Sequence, residues 1–233
     1  MKSYRTLLIL SALLIGMPAS AAYAQSADTK DEVEQSQKAA KVFQEIMSAP
    51  DKAIPQSVLD GADCVAVFPN VVQAAFGVGG RGGRGLASCR TASGWSAPAY
   101  FNLGGGSFGF QIGVESTDLI MLFMTPESMK TLTSSKFELG ADAAVAAGPV
   151  GRQAAAGTDL KMDAQILSYS RNKGLFAGVA LKGAVIQTAD DDMRDVYGAG
   201  VHPRDVLTGG KMPSTQSVMA FPTALGEHIH RTN

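Results

Sequence analysis

The period of the apolar positions changes along the chain, and the changes mark out elements. In residues 31–48, Ala39, Val42, Phe43, Ile46 and Met47 recur at helical spacing, with Val33 upstream. Glu32, Glu34, Gln37, Lys38, Lys41 and Glu45 fill the positions between them. This predicts an amphipathic helix, which Pro50 stops. Pro55 suits the first turn of a short helix over 55–60, with Gly61 at its end. At Cys64 the texture switches. Residues 64–68 are a compact apolar run closed by Pro69, which predicts a buried strand. Residues 71–85 are Gly-rich with a hydrophobic start. A strand is expected in 95–102. Another is expected in 108–114, where Phe108, Phe110, Ile112 and Val114 alternate with Gly109, Gln111 and Gly113. A third covers 118–124. Thr125-Pro126-Glu127-Ser128 predicts a capped short helix with Met129 and Leu132 facing inward.

Strand-like segments resume at 141–147, 160–169 and 175–187. Asp190, Asp191 and Asp192 head a short helix to Tyr197, where the acids suit the helix dipole. A further short helix is expected over 203–207, before Gly209-Gly210. No fixed-period repeat and no internal boundary interrupts 61–210. The expected class is α+β, with the amphipathic helix and short helices packed on a mainly antiparallel, Gly-rich, barrel-like β core. That domain is expected over 31–210, with a C-terminal segment at 211–233.

The first 24 residues follow another logic. Lys2 and Arg5 form a basic start, Thr6 to Met17 a short apolar run, and Ala22-Tyr23-Ala24 an A-x-A cleavage site. A cleaved signal peptide is expected, then a flexible stretch at 25–30. The run is too short to span a bilayer, and no cysteine at the cleavage point offers a lipid anchor. The expected compartment is the periplasm, with peripheral membrane association. There Cys64 and Cys89 can pair; two free buried thiols are the alternative.

Composition narrows the function classes. Twenty Lys+Arg stand against 21 Asp+Glu, a net charge of −1. A nucleic-acid binder would normally carry a basic excess. The 26 glycines suggest phosphate loops, yet Gly77-x-Gly79-x-x-Gly82 runs into Arg81-Gly82-Gly83-Arg84-Gly85, which no helix would choose, so nucleotide binding is not expected. Gly105-Gly106-Ser107-Phe108-Gly109 fits G-x-S-x-G. A nucleophile elbow needs strand, turn and helix, and Ser107 is followed by strand patterning. A serine hydrolase using Ser107 stays a minor alternative. His228-x-His230, with His202 as a possible third ligand, resembles a metal pair but reads better as a solvated tail, and Asp190 to Asp192 lack the spacing and the terminal Glu of a calcium loop. No metal and no cofactor are expected.

Cations at glycine turns are the remaining chemistry. Arg171 and Lys173 are followed by Gly174, which allows close backbone approach. With Arg152 of Gly148-Pro149-Val150-Gly151-Arg152 they could form a phosphate site of Arg forks and backbone N–H groups, or simply be surface charges at a turn. Arg81 and Arg84 add charge on a Gly-rich stretch. On the amphipathic helix, Lys38 and Lys41 could meet anionic headgroups while Phe43, Ile46 and Met47 insert, or the apolar stripe could pack on the β core.

Residues 168–178, Ser-Tyr-Ser-Arg-Asn-Lys-Gly-Leu-Phe-Ala-Gly, followed by Val179-Ala180-Leu181-Lys182-Gly183, resemble the signature of the SYLF-domain family. Ala66 to Pro69, Phe76 to Gly80, Gly104 to Phe110, Gly148 to Arg152 and Val206 to Gly209 continue the resemblance in family order, over roughly residues 35 to 210. Lys182 departs from the pattern, where an acidic residue is common. The resemblance implies a non-enzymatic phospholipid-binding domain, with Arg171 and Lys173 as headgroup contacts and Arg152 beside them. It also favours membrane contact by the amphipathic helix. Actin, a partner of eukaryotic relatives, is not expected for an exported bacterial protein. An envelope structural or protein-interaction module is the alternative reading.

Overall fold

The computed structural model describes residues 29–48, 54–151, 164–172 and 174–229, without the side chains of 75–78 and 107–112. The expected signal peptide, Arg152, Lys173 and His230 lie outside the described residues.

Helix α1 (Lys30–Met47) forms where the periodicity places it and buries Ala39, Val42, Phe43 and Ile46. A short α2 (Gln56–Asp60) follows, with Pro55 as its N-cap residue. The chain then forms two very long strands, β1 (Cys64–Thr91) and β3 (Ala99–Phe123). They pair antiparallel from Cys64↔Phe123 to Ala87↔Ala99. Between them β2 (Gly94–Trp95) turns back on the end of β1. The expected stop at Pro69 is therefore corrected, and the three strands expected over 95–124 are largely one. Register shifts between Phe68 and Val71 and between Phe76 and Gly77 absorb the irregular residues. The first holds Asn70 at φ 53°. Bulges of this kind let a strand carry Pro and Gly without ending.

This ribbon doubles back on itself. Cys64 and Cys89, 25 positions apart on one strand, are joined by a disulfide. A Cβ on Gly83 would lie 2.8 Å from Val71 Cγ2. One on Gly85 would collide with the Phe68 ring and lie 2.6 Å from the Val67 carbonyl oxygen. The start of β1 thus lies directly on its own end, and these glycines remove the side chains that would hold the layers apart. Gly85→Ala is expected to cost about 1–3 kcal/mol, the usual cost of overpacking. Urea unfolding measures it, and a variant as stable as the parent would show that the two stretches have room between them.

The remaining elements complete a curled sheet. Helix α3 (Pro126–Leu132) has the predicted Thr125 cap, with Ser128 closing a capping box and Leu132 buried. Next come β4 (Lys136–Glu138), β5 (Val145–Ala147), β6 (Ile166–Asn172), β7 (Leu175–Gly178) and β8 (Val185–Thr188). The sheet runs β2-β1-β3-β6-β5, with β7 on β6 and β8 bridging β3 and β4. Among these pairs β5–β6 is parallel and the others are antiparallel. The strand expected at 141–147 shortens to β5, and that at 175–187 divides into β7 and β8 around Gly183, whose φ is +78°. Helices α4 (Asp190–Tyr197) and α5 (Pro203–Leu207) form as expected. A 3-10 turn (Gln216–Met219) and α6 (Ala220–His228) close the fold. The class is α+β, as the pattern predicts.

Helix α6 gives α1 its partner. The Phe43 and Phe221 rings meet edge to face with centroids 6.4 Å apart. The buried Ser36 hydroxyl donates to the Val218 carbonyl at 2.6 Å and accepts from Phe221 N–H at 3.1 Å. A buried hydroxyl satisfied in both directions fixes the rotation of α1 against the C-terminal elements.

Candidate functional site

Two sequence blocks meet on the far side of β6. Strand β5 runs beside β6, and Gly148 N–H donates to the Ser168 carbonyl at 3.0 Å. A Cβ on Gly148 would collide with the phenol end of Tyr169, 2.5 Å from Cε1. A Cβ on Gly178 would collide with the Gly148 backbone. Gly148 is thus wedged between Tyr169 and Gly178 of β7, and no side chain fits at either glycine. The Ser168 hydroxyl donates to the Val179 carbonyl and ties the block to the chain beyond β7. Gly151 has φ +77° and Gly174 φ +80°. These left-handed residues adjoin Arg152 and Lys173 in sequence and free the backbone for close approach.

Arg171 is held on three sides. Its Nε and Nη2 donate to Asp118 Oδ2 at 3.0 and 2.8 Å. Its Nη1 donates to Glu45 Oε2 on α1. Asp118 is fixed in turn, because its Oδ1 accepts from Asn70 N–H at 3.0 Å. Burial works against the Arg171 charge, but hydrogen bonds to Glu45 and Asp118 outweigh it and hold the pKa above the ordinary arginine value. On the other side of Arg171, Asn172 donates to Glu115.

Arg84 sits apart from this group, at the N-terminal end of α1. Its Nη2 pairs with Asp192 at 2.7 Å and with Glu32 at 3.6 Å. Gln35 donates to its carbonyl at 2.6 Å. Glu32 is buried, and its Oε2 has no hydrogen-bond partner among the described residues. Burial pushes its carboxyl above the usual range, its own backbone hydrogen bond opposes this, and Asp192 and Asp195 add to it. Each end of α1 therefore reaches an arginine of the sheet that also holds an aspartate.

The other expected site residues are dispersed. Lys38 pairs with Glu34 at 2.7 Å, and Lys41 lies 3.9 Å from Glu45. Phe43 is fully buried, packed on Phe221 and on the His228 ring at 5.8 Å. Arg81 is partly buried, and its Nε has no hydrogen-bond partner among the described residues. Gly77 to Gly82 lie within β1 and pair with β3, so no helix follows them to meet a phosphate. The Ser107 backbone likewise pairs with Gly79 inside β3, without the turn and helix of a nucleophile elbow. His202 caps α5. Among the described residues, no helix is long and apolar enough to cross a membrane.

Sequence reading missed Asp118, Glu45 and Asn70 as partners of the site. Asp118 and Glu45 lie 53 and 126 positions from Arg171, and no local pattern links residues so far apart.

A family model described as Ysc84, the Las17-binding protein actin regulator, matches residues 104–228, just over half of the chain. The chain belongs to this family. The match is the family that the SYLF resemblance anticipates, and it extends into α6. Family relatives include the SH3 domain-containing YSC84-like protein 1 of Rattus norvegicus, 33% identical over 184 residues, covering 77% of this chain and 54% of the relative. SH3 domain-containing protein PJ696.02 of Schizosaccharomyces pombe is 37% identical over 162 residues, covering 68% and 37%. LAS seventeen-binding protein 3 of Saccharomyces cerevisiae is 32% identical over 188 residues, covering 77% and 41%. The chain thus spans about half or less of the length of these relatives.

Proposed function

We propose that the protein is an exported, non-enzymatic binder of anionic phospholipid headgroups at the surface of an envelope membrane, in the periplasm. The observation that carries this reading is the packing of Gly148 against Tyr169 and Gly178 of the β6–β7 block. It sets Gly148 against the β6–β7 pair, and the reading assigns Arg152 and Lys173, which adjoin these stretches in sequence, to one headgroup. Left-handed glycines in both stretches allow backbone N–H groups to approach a phosphate, as in other anion-binding turns. Family membership supports the reading, and the Cys64–Cys89 bond suits an oxidising compartment. The buried stripe of α1 makes headgroup contact, rather than helix insertion, the primary mode.

Sedimentation with vesicles tests this. Phosphatidylcholine vesicles with and without phosphatidylglycerol would be compared at physiological salt. The protein should pellet with the anionic vesicles. Arg171→Ala with Lys173→Ala should weaken that binding roughly 30-fold, at about 1 kcal/mol per cation near an anionic surface. Equal recovery with both vesicles, unchanged in the double variant, would sink the reading. A protein-interaction role is the second reading, favoured by relatives named for binding Las17. It predicts a saturable protein partner that survives lipid extraction.

A further inference from the structure

We infer that Glu45 is a displaceable counter-ion of Arg171, and that an anionic phosphate takes its place on Nη1 while α1 stays docked. The inference rests on the headgroup reading above and concerns how that same site is controlled.

The asymmetry of the two carboxylates around Arg171 carries it. Asp118 is largely buried and anchored by Asn70 N–H, and it receives two of the guanidinium nitrogens. It sets the plane of the fork and does not leave. Glu45 is 41% exposed on the last turns of α1 and receives only Nη1. Its other oxygen already faces Lys41, itself 76% exposed, at 3.9 Å. When an anion takes Nη1, Glu45 keeps a cation one helical turn away. The exchange strands no charge, and it replaces one partly exposed ion pair with another. Such pairs contribute at most about 1 kcal/mol, so a phosphate can compete.

Arg84 offers a contrast. There Glu32 and Asp192 are both largely buried, and Asp31 and Asp195 add to the acidic field around the pair. An approaching phosphate would meet these fixed negative charges with no carboxylate free to swing away. The geometry therefore assigns the exchange to Arg171. It also separates headgroup binding from release of α1. Displacing Glu45 exposes none of the apolar stripe, so Phe43 can remain buried throughout.

The test compares Glu45→Gln with Glu34→Gln, which removes the same charge from the same helix but touches Lys38 instead of Arg171. Binding is read on phosphatidylcholine vesicles containing phosphatidylglycerol, at physiological salt, together with the melting temperature of each variant. Glu45→Gln should bind about 2- to 5-fold more tightly, the equivalent of one surface ion pair, while melting no higher than the parent. Glu34→Gln should stay near the parent in binding. Equal effects of the two variants, or weaker binding by Glu45→Gln, overturn the inference.

If the parent binds anionic and neutral vesicles alike, the headgroup reading fails, and the inference is decided on its own by titrating inorganic phosphate at constant ionic strength. The Arg171 side-chain NMR resonance should then move at lower phosphate in Glu45→Gln than in Glu34→Gln. A resonance that responds identically in both, or in neither, overturns it. A phosphate response without vesicle binding would assign the site to a free phosphate rather than to a lipid.

Discussion

Phe43→Ala is expected to lower the unfolding free energy by about 3–5 kcal/mol, the cost of removing a fully enclosed aromatic ring. Phe43 has no exposed surface, and it meets Phe221 edge to face and the His228 ring at 5.8 Å. Its neighbours on the stripe, Ala39, Val42 and Ile46, are buried as well. A cavity at this point would open between α1 and α6, where the Ser36 hydroxyl bonds limit collapse. The variant also separates the two roles of α1. A core ring predicts a large fall in the urea midpoint, with vesicle binding kept by whatever fraction stays folded. A membrane-inserting ring predicts the reverse: near-parental stability with binding lost. Urea unfolding at a temperature where the variant is still folded, paired with sedimentation, reads both quantities. A loss below about 1 kcal/mol would place the ring outside the core.

Breaking the Cys64–Cys89 bond is expected to cost about 3.5 kcal/mol, from the chain entropy of a closed loop of this length. The sequence separation is 25. The bond joins the two ends of one strand after that strand has travelled out and back. Without it, the unfolded chain gains freedom, while the folded ribbon keeps its ladder to β3. Cys64→Ser with Cys89→Ser should therefore unfold at clearly lower urea with little change in folded secondary structure. Reductant should shift the parent by a similar amount and leave the variant unmoved. A parent insensitive to reductant, with the variant equally stable, would show that the bond does not form in solution.

The elements legible in the sequence are those whose signals are local. Helix α1 shows in its apolar stripe, α3 in Thr125 and Pro126, and α4 in the three aspartates at its start. The ribbon was legible only in pieces. Pro69, Asn70 and the glycines of 77–85 are breakers by local rules, yet bulges absorb the first two and cross-layer packing requires Gly83 and Gly85. That requirement is set by Val71, Phe68 and Val67 on the opposite layer, which no window on the sequence brings together. Helix α6 escaped because Pro222 and Gly226 weaken its pattern, although Pro222 falls in the first turn, where it is tolerated. At the site, the glycine blocks and Arg171 could be read from residue type and family pattern. The carboxylates that hold Arg171 could not, because their pairing exists only once β3, β6 and α1 are assembled.

The pairing of α1 with α6 also sets a timetable. Among the described elements helix α1 is made first and α6 last, with the sheet between them. A chain that emerges from its N-terminus can set α1 on β1 early, but Phe43 lacks its Phe221 and His228 neighbours until α6 is made. Domains tend to fold as units once synthesis supplies the whole of them. The final docking of α6 should thus be the step that closes the cover over Phe43, and a chain cut short before residue 220 should keep part of that ring exposed however well its sheet has formed.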